Sequence, residues 1–263
     1  MPFNAVHAPH EVPEKYKEPY GQFQGDRRTY AGMLAALDEM VGKIVSAVDE
    51  TGRRSNTLFI FSSDNGGPRP GVITSNGPLR AGKGTLYEGG VHTCAFVAWD
   101  GHIKPGISVP AVAHMVDWYP TLLKLTGVSL KQGLPLDGRD IWPCITDGKP
   151  SPHEELLLNA GPNAGAIRVG DWKLVINGQN PDSEEEGGAK AAKKAGKGKG
   201  KQRGAGEQQV ELFNLVDDLS EKKNLAAEMP EKVKSLRARY DFYAKQAVPP
   251  KNQAGSDEKA PAK

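Results

Sequence analysis

Thr57-Leu58-Phe59-Ile60-Phe61-Ser62-Ser63-Asp64-Asn65-Gly66-Gly67 decides the reading of this chain, because a short apolar run is followed at once by a carboxylate, an amide and two glycines. The run reads as a buried strand. Open α/β sheets bind ligands beyond the carboxyl ends of their strands, so Asp64 and Asn65 stand where a ligand would be met. A carboxylate and an amide carbonyl side by side suit a hard cation, calcium or magnesium. The same letters also suit an Asn-Gly turn leaving a strand. Taken alone, the residues leave both readings open.

Upstream, Tyr30, Met33, Leu34, Leu37, Met40, Val41, Ile44, Val45 and Val48 recur at helical spacing, and Gly52 stands just past the end. The spacing predicts an amphipathic helix over 28–50. Asp38 and Glu39 lie within it, but adjacent helical residues point in different directions, so they read as a solvated face rather than a catalytic pair. Helix followed by strand is the unit from which a mainly parallel sheet is built. Downstream, 68–90 is a long Gly- and Pro-rich loop, and loops of that length in a compact domain are usually functional. It lacks the Gly-x-x-x-x-Gly-Lys-Ser/Thr phosphate loop. Glu88 reads as a helix start or turn residue, His92 as a loop histidine, and 94–99 as a second buried strand. At 117–127, Asp117 fits a helix cap, Pro120 the first turn and Gly127 the stop, which leaves His114 and Asp117 as capping residues rather than a metal pair.

Three blocks carry more than local structure. They are Val6-His7-Ala8-Pro9-His10-Glu11-Val12-Pro13, the Asp64-Asn65 block, and Gly77-Pro78-Leu79-Arg80-Ala81-Gly82-Lys83-Gly84-Thr85-Leu86-Tyr87-Glu88-Gly89-Gly90. In order and spacing they resemble the sulfatase family, in particular its arylsulfatase branch. The resemblance runs from about residue 3 to about residue 180 and resumes at Glu211-Leu212-Phe213-Asn214-Leu215 and Glu221-Lys222-Lys223-Asn224-Leu225-Ala226. It implies an alkaline-phosphatase-like α/β fold with a mainly parallel sheet, hydrolysis of sulfate esters, a divalent metal that is calcium with magnesium as the alternative, and a formylglycine nucleophile. Carried over by position, it implies that Asp64 and Asn65 are metal ligands, and that Lys83 and His7 are catalytic and face the substrate sulfate. His7 fits because Pro9 follows it by two positions, and His10 is the second choice.

The resemblance also implies residues that this sequence does not contain. The family's nucleophile lies in Cys-x-Pro-x-Arg or Ser-x-Pro-x-Arg, close after an Asp-Asp pair that supplies further metal ligands. Cys94 is followed by Ala-Phe-Val and Cys144 by Ile-Thr-Asp, and Asp217-Asp218 fits a turn in the carboxyl-terminal region. The chain therefore resembles the carboxyl-terminal portion of a sulfatase, with the formylglycine expected in the missing amino-terminal part. Sulfuryl transfer needs an in-line nucleophile, cations on the developing charge and a proton donor for the leaving oxygen. Lys83 and His7 answer to the last two, so the chain by itself is expected to hydrolyse little or nothing. Two further readings stand beside this one: a noncatalytic protein that binds metal or a sulfated ligand, and a related phosphoesterase.

The 263 residues carry 34 Lys and Arg against 32 Asp and Glu, a net charge of +2 that gives no case for nucleic acid or membrane binding by overall field. No stretch approaches the roughly 20 apolar residues of a membrane-spanning helix. Two cysteines make no disulfide framework. Met1-Pro2-Phe3 does not begin a signal peptide, yet the resemblance places the full-length parent in the periplasm or outside the cell. The expected partner is a sulfate ester, with a sulfated carbohydrate as the family-level example. Three regions are expected. Residues 1–150 form the carboxyl-terminal part of the catalytic α/β domain. Residues 151–248 form a small antiparallel sheet-and-helix subdomain, with a hairpin around Gly170-Asp171, a strand at 210–215 and a helix at 231–246 opened by Pro230. Within it, 183–207 is a Lys-rich insert of low complexity, expected to be disordered like the 249–263 tail.

Overall fold

The computed structural model describes residues 1–160, 164–178 and 208–246, and these fall into two units. The Lys-rich insert at 183–207 and the tail at 249–263 lie outside the described residues.

The first unit, Met1–Glu154, is built around helix α2, Gly25–Glu50. A short helix α1, Glu14–Lys17, lies across its start, where Gly32 admits the Val12 and Lys17 side chains at distances that a Cβ would crowd. Asp38 and Glu39 face solvent, and Glu39 pairs with Lys43 at 2.7 Å, as expected for a solvated face. Strand β1, Phe59–Ser62, pairs with β2, Ala95–Ala98, in antiparallel register that sets Phe61 opposite Phe96.

Two expectations are corrected here. The described residues contain no mainly parallel sheet: this chain contributes a two-stranded antiparallel pair. Parallel neighbours need a crossover from further strands, and among the described residues β1 and β2 pair only with each other. Nor are these strands buried. Phe96 is 66% exposed and β1 is half-buried, because the cavity between the strands and α2 leaves their side chains open.

Between the strands, the loop 63–90 ends in helix α3, Glu88–Val91. Glu88 opens this helix and is buried. Further on, Asp117 precedes helix α4, Trp118–Leu125, without a side-chain bond to it; its carboxylate instead closes a capping box with His114 on the 3-10 turn Met115–Asp117. Its fully buried carboxylate accepts from His114 N at 2.6 Å, Arg139 N at 2.8 Å and His153 Nε2 at 2.8 Å. That is a capping and packing role. Helix α5, Trp142–Asp147, starts with Pro143 in its first turn and stops at Gly148, whose φ of 63° an L side chain would resist. Ile141, Cys144 and Ile145 form the local core there with Val97, Ile103 and Trp118 around them.

The second unit is an antiparallel sheet in the order β3, Glu155–Ala160, β4, Gly165–Val169, β5, Trp172–Ile176, and β6, Val210–Asn214. The turn at Gly170-Asp171 joins β4 to β5 with Gly170 at φ 57°. Helix α6, Pro230–Ala244, lays Leu236 and Tyr240 on Ile167, Leu174, Ile176 and Leu212. Lys173 and Glu221 meet at 2.9 Å with both side chains fully buried. Asp217 and Asp218 accept from Asn214 Nδ2 and Lys223 N and belong to the turn after β6.

Candidate functional site

The loops beyond β1 and the amino-terminal segment line one cavity of about 1690 Å³ in the first unit, and Asp64, Asn65, Lys83 and His7 all face it. The helix α2 side chains Leu37, Val41 and Ile44 and the strand residues Phe61 and Phe96 line its apolar part. A drug-sized ligand fills about 300–1,000 Å³, so this space is larger than a substrate pocket alone. It is a pocket continuous with an uncovered groove between helix and strands.

The pocket's charge is one-sided. Among its described lining residues Lys83, Arg69 and Arg27 are cationic, and Asp64 supplies the sole carboxylate. Such a wall concentrates anions. Lys83 Nζ lies 3.0 Å from His7 Nε2, although the two residues are 76 positions apart in sequence. An ammonium can only donate, so the His7 Nε2 atom accepts and the ring carries its proton on Nδ1, which donates to Ala8 O at 2.8 Å. A cation and an imidazole meeting this way, both open to the cavity, give two hydrogen-bonding groups that can turn to a single anion. His10 stands apart from them, edge-on to the Tyr30 ring at 5.7 Å. His92 is tied to the buried Glu88 at 3.0 Å.

Asp64 is exposed and accepts from Asn65 N through Oδ1 at 3.0 Å. Asn65 donates its amide nitrogen to Gly66 O at 2.9 Å, which turns the amide oxygen to its other side. These are the donor types of a hard cation, but they make only two ligands where six to eight oxygens are usual for calcium. Among the described residues no group of three or more His, Cys, Asp or Glu could hold a metal ion. The pair therefore fits as part of a coordination shell that needs further oxygens.

The residue that the sequence did not single out is Asn76. Its amide Oδ1 accepts from Gly67 N at 2.9 Å, and its Nδ2 donates to Gly67 O at 3.2 Å and Ala81 O at 2.8 Å. It joins the loop carrying Asp64 and Asn65 to the loop carrying Lys83. The only sequence signal was an Asn-Gly dipeptide in a Gly-rich loop, which reads as a turn.

The family model described as Sulfatase matches residues 1–128. Arylsulfatase J of Mus musculus is 34% identical over 271 residues, covering 94% of this chain and 45% of that protein. The chain belongs to the sulfatase family. Arylsulfatase A of Homo sapiens is 35% identical to this sulfatase chain over 168 residues, covering 59% of it and 33% of that protein. The crystal structure of Ps i-CgsB in complex with k-i-k-neocarrahexaose superposes with a TM-score of 0.73 at 28% identity, over 91% of this chain and 48% of that one. The fold is thus the alkaline-phosphatase-like α/β fold, with the small antiparallel sheet of the second unit as part of it. This sulfatase chain spans about half the length, or less, of the relatives it matches.

Proposed function

We propose that this chain is the sulfate-facing, carboxyl-terminal part of a sulfate-ester hydrolase, residues 1–150 belonging to its catalytic α/β domain and residues 151–248 to a small subdomain. The observation that carries the reading is the Lys83–His7 pair in a cavity whose lining charges are cationic but for Asp64. Lys83 supplies a fixed positive charge to the nonbridging sulfate oxygens, where negative charge builds as the ester bond breaks. His7 stands beside the ammonium and faces the same group. With Lys83 Nζ turned to the sulfate and a second proton taken up on Nε2, the ring is placed to give that proton to the leaving oxygen and return to the neutral form. Asp64 and Asn65 would hold one edge of a divalent cation, calcium with magnesium as the alternative. When bound, that cation would withdraw charge from the sulfate oxygens. The nucleophile, a formylglycine in this family, and the remaining ligands would come from residues outside this sequence. The substrate class is a sulfate ester, with sulfated carbohydrates the foremost case.

A second reading, a noncatalytic binder of sulfated ligands, is favoured by the same geometry, since cationic groups line the cavity and the sequence carries no Cys-x-Pro-x-Arg or Ser-x-Pro-x-Arg. The two readings part when the chain is joined to a formylglycine-bearing sulfatase amino-terminal half: turnover of an aryl sulfate supports the first and its absence the second, whereas for the chain alone both give the same expectations. The chain alone is expected to show no turnover of an aryl sulfate above buffer. It is expected to bind calcium weakly, with Kd on the order of millimolar, and Asp64→Ala should abolish the calorimetric signal. Turnover by the purified chain that survives Lys83→Ala would sink the proposal.

A further inference from the structure

We infer that Asn76 is the positioning residue of this site: its side-chain amide clamps the Asp64–Asn65 loop to the Lys83 loop, and so sets the distance between the metal-facing and sulfate-facing groups. The inference rests on the sulfate-binding reading of Lys83 and adds to it a device that holds the two halves in register.

Two backbone bonds join these stretches of chain apart from Asn76. Lys83 N donates to Gly67 O at 3.2 Å, and Gly66 N to Gly90 O at 3.0 Å. Asn76 adds three bonds on the same two strands of chain: two to the peptide groups of Gly67 and one to Ala81 O. Its orientation is dictated by its partners. A backbone N–H must meet the amide oxygen and two carbonyls must meet the amide nitrogen, so flipping the group would break all three bonds. Nothing but a primary amide offers one acceptor and two donors from a side chain of this length.

The loops are also too close to be held by larger residues. A Cβ at Gly82 would lie 2.3 Å from Gly67 O and 2.9 Å from Asn76 Nδ2, and one at Gly67 would lie 2.6 Å from Thr74 Oγ1. The glycines let the backbones approach and the amide ties them. Ala81, the acceptor nearest Lys83 in the chain, sits at φ 58°, a conformation that needs the surrounding bonds to hold it. Releasing the clamp removes the bond to Ala81 O and leaves the Lys83 N–Gly67 O bond to hold the Lys83 loop. A charged group that wanders by about 1 Å loses much of its effect on a bound anion.

The test uses the full chain as wild type, Asn76→Ala and Asn76→Asp, titrated with inorganic sulfate against sodium chloride of equal ionic strength. NMR follows the His7 imidazole and the backbone amides, and amide exchange is read at Gly67 and Lys83. In wild type, sulfate should move the His7 and Lys83 signals. Asn76→Ala should weaken sulfate about tenfold or more and speed exchange at Gly67 and Lys83 by at least tenfold, with the amides of α2 unchanged. Asn76→Asp should be as weak at pH 7, where a carboxylate faces two carbonyls. Near pH 4 it should approach wild type at the same pH, because a protonated carboxyl can donate again. Recovery of sulfate affinity together with slow exchange is the readout that a merely structural role would not move. If wild type ignores sulfate while exchange still accelerates in Asn76→Ala, the clamp stands and the sulfate reading falls. Unchanged exchange and affinity in Asn76→Ala, or loss of structure throughout α2 in both variants, would overturn the inference.

Discussion

Lys83 and His7 show how a site is assembled from residues that have no local reason to meet. Each is an ordinary loop residue taken singly, and the 3.0 Å approach of their side chains is made by the fold. That Lys83, His7, Asp64 and Asn65 belong together as candidates was legible in the sequence because a long matched block surrounds each of them, and all four line one cavity. Asn76 was not, because its value lies in three bonds that exist only once residues 66–67 and 81–83 have closed on one another. The cysteines give a sharper contrast at this scale. Cys94 is exposed, whereas Cys144 is buried in the α5 core. Burial first, then the nearby carboxylates of Asp140 and Asp117, push the Cys144 thiol above its ordinary range. A thiol reagent at pH 8 should modify one cysteine per native chain within minutes and the second only after denaturation. Equal rates for both would show that Cys144 is not held as described.

Among the elements, α2, the β4–β5 hairpin and α6 follow from periodicity and turn chemistry, since apolar spacing, Gly170 and Pro230 are local signals. Strand β3 escaped the sequence reading, although Leu156, Leu157 and Leu158 gave an apolar run. Its pairing with β4 contains a bulge between Leu157 and Asn159 that breaks the alternation a strand normally shows. The direction of the β1–β2 pair was missed for a different reason: strand partners are chosen by tertiary contacts, which no local pattern records. Helix α6 is held to β3 by Glu155, which accepts from Arg239 at 2.6 Å and from Tyr243 Oη at 2.7 Å. Partial burial alone would raise the Glu155 carboxyl, but the Tyr243 hydroxyl and the Arg239 guanidinium outweigh it and hold the group below its ordinary 4.5. A depressed folded value means that this contribution is present above pH 4.5 and is lost as pH falls through the lowered value. Glu155→Gln should cost about 1 kcal/mol at pH 7, discounted because Arg239 is partly exposed. The variant should also lose stability less steeply than wild type on acidification below about pH 4.5, as read by thermal melts. Parallel melting curves at every pH would contradict the assignment.

At the scale of the whole molecule, the second unit has a closed core, whereas the first leaves apolar side chains uncovered. Leu34 is 47% exposed on α2 and Phe96 is 66% exposed on β2, and both line the groove that opens from the site. Patches of this kind mark surfaces that something covers. This fits a chain that spans about half the length of the relatives it matches. The central claim is that Lys83 stabilises the sulfate of the reacting ester. The most direct measurement is kcat/KM for an aryl sulfate in the protein formed when this chain is joined to a formylglycine-bearing sulfatase amino-terminal half, wild type against Lys83→Ala. A loss of about 10²–10³-fold in the variant, most of it in kcat, is predicted for removal of one charge from the transition state. Equal kcat/KM in the two proteins would contradict the account.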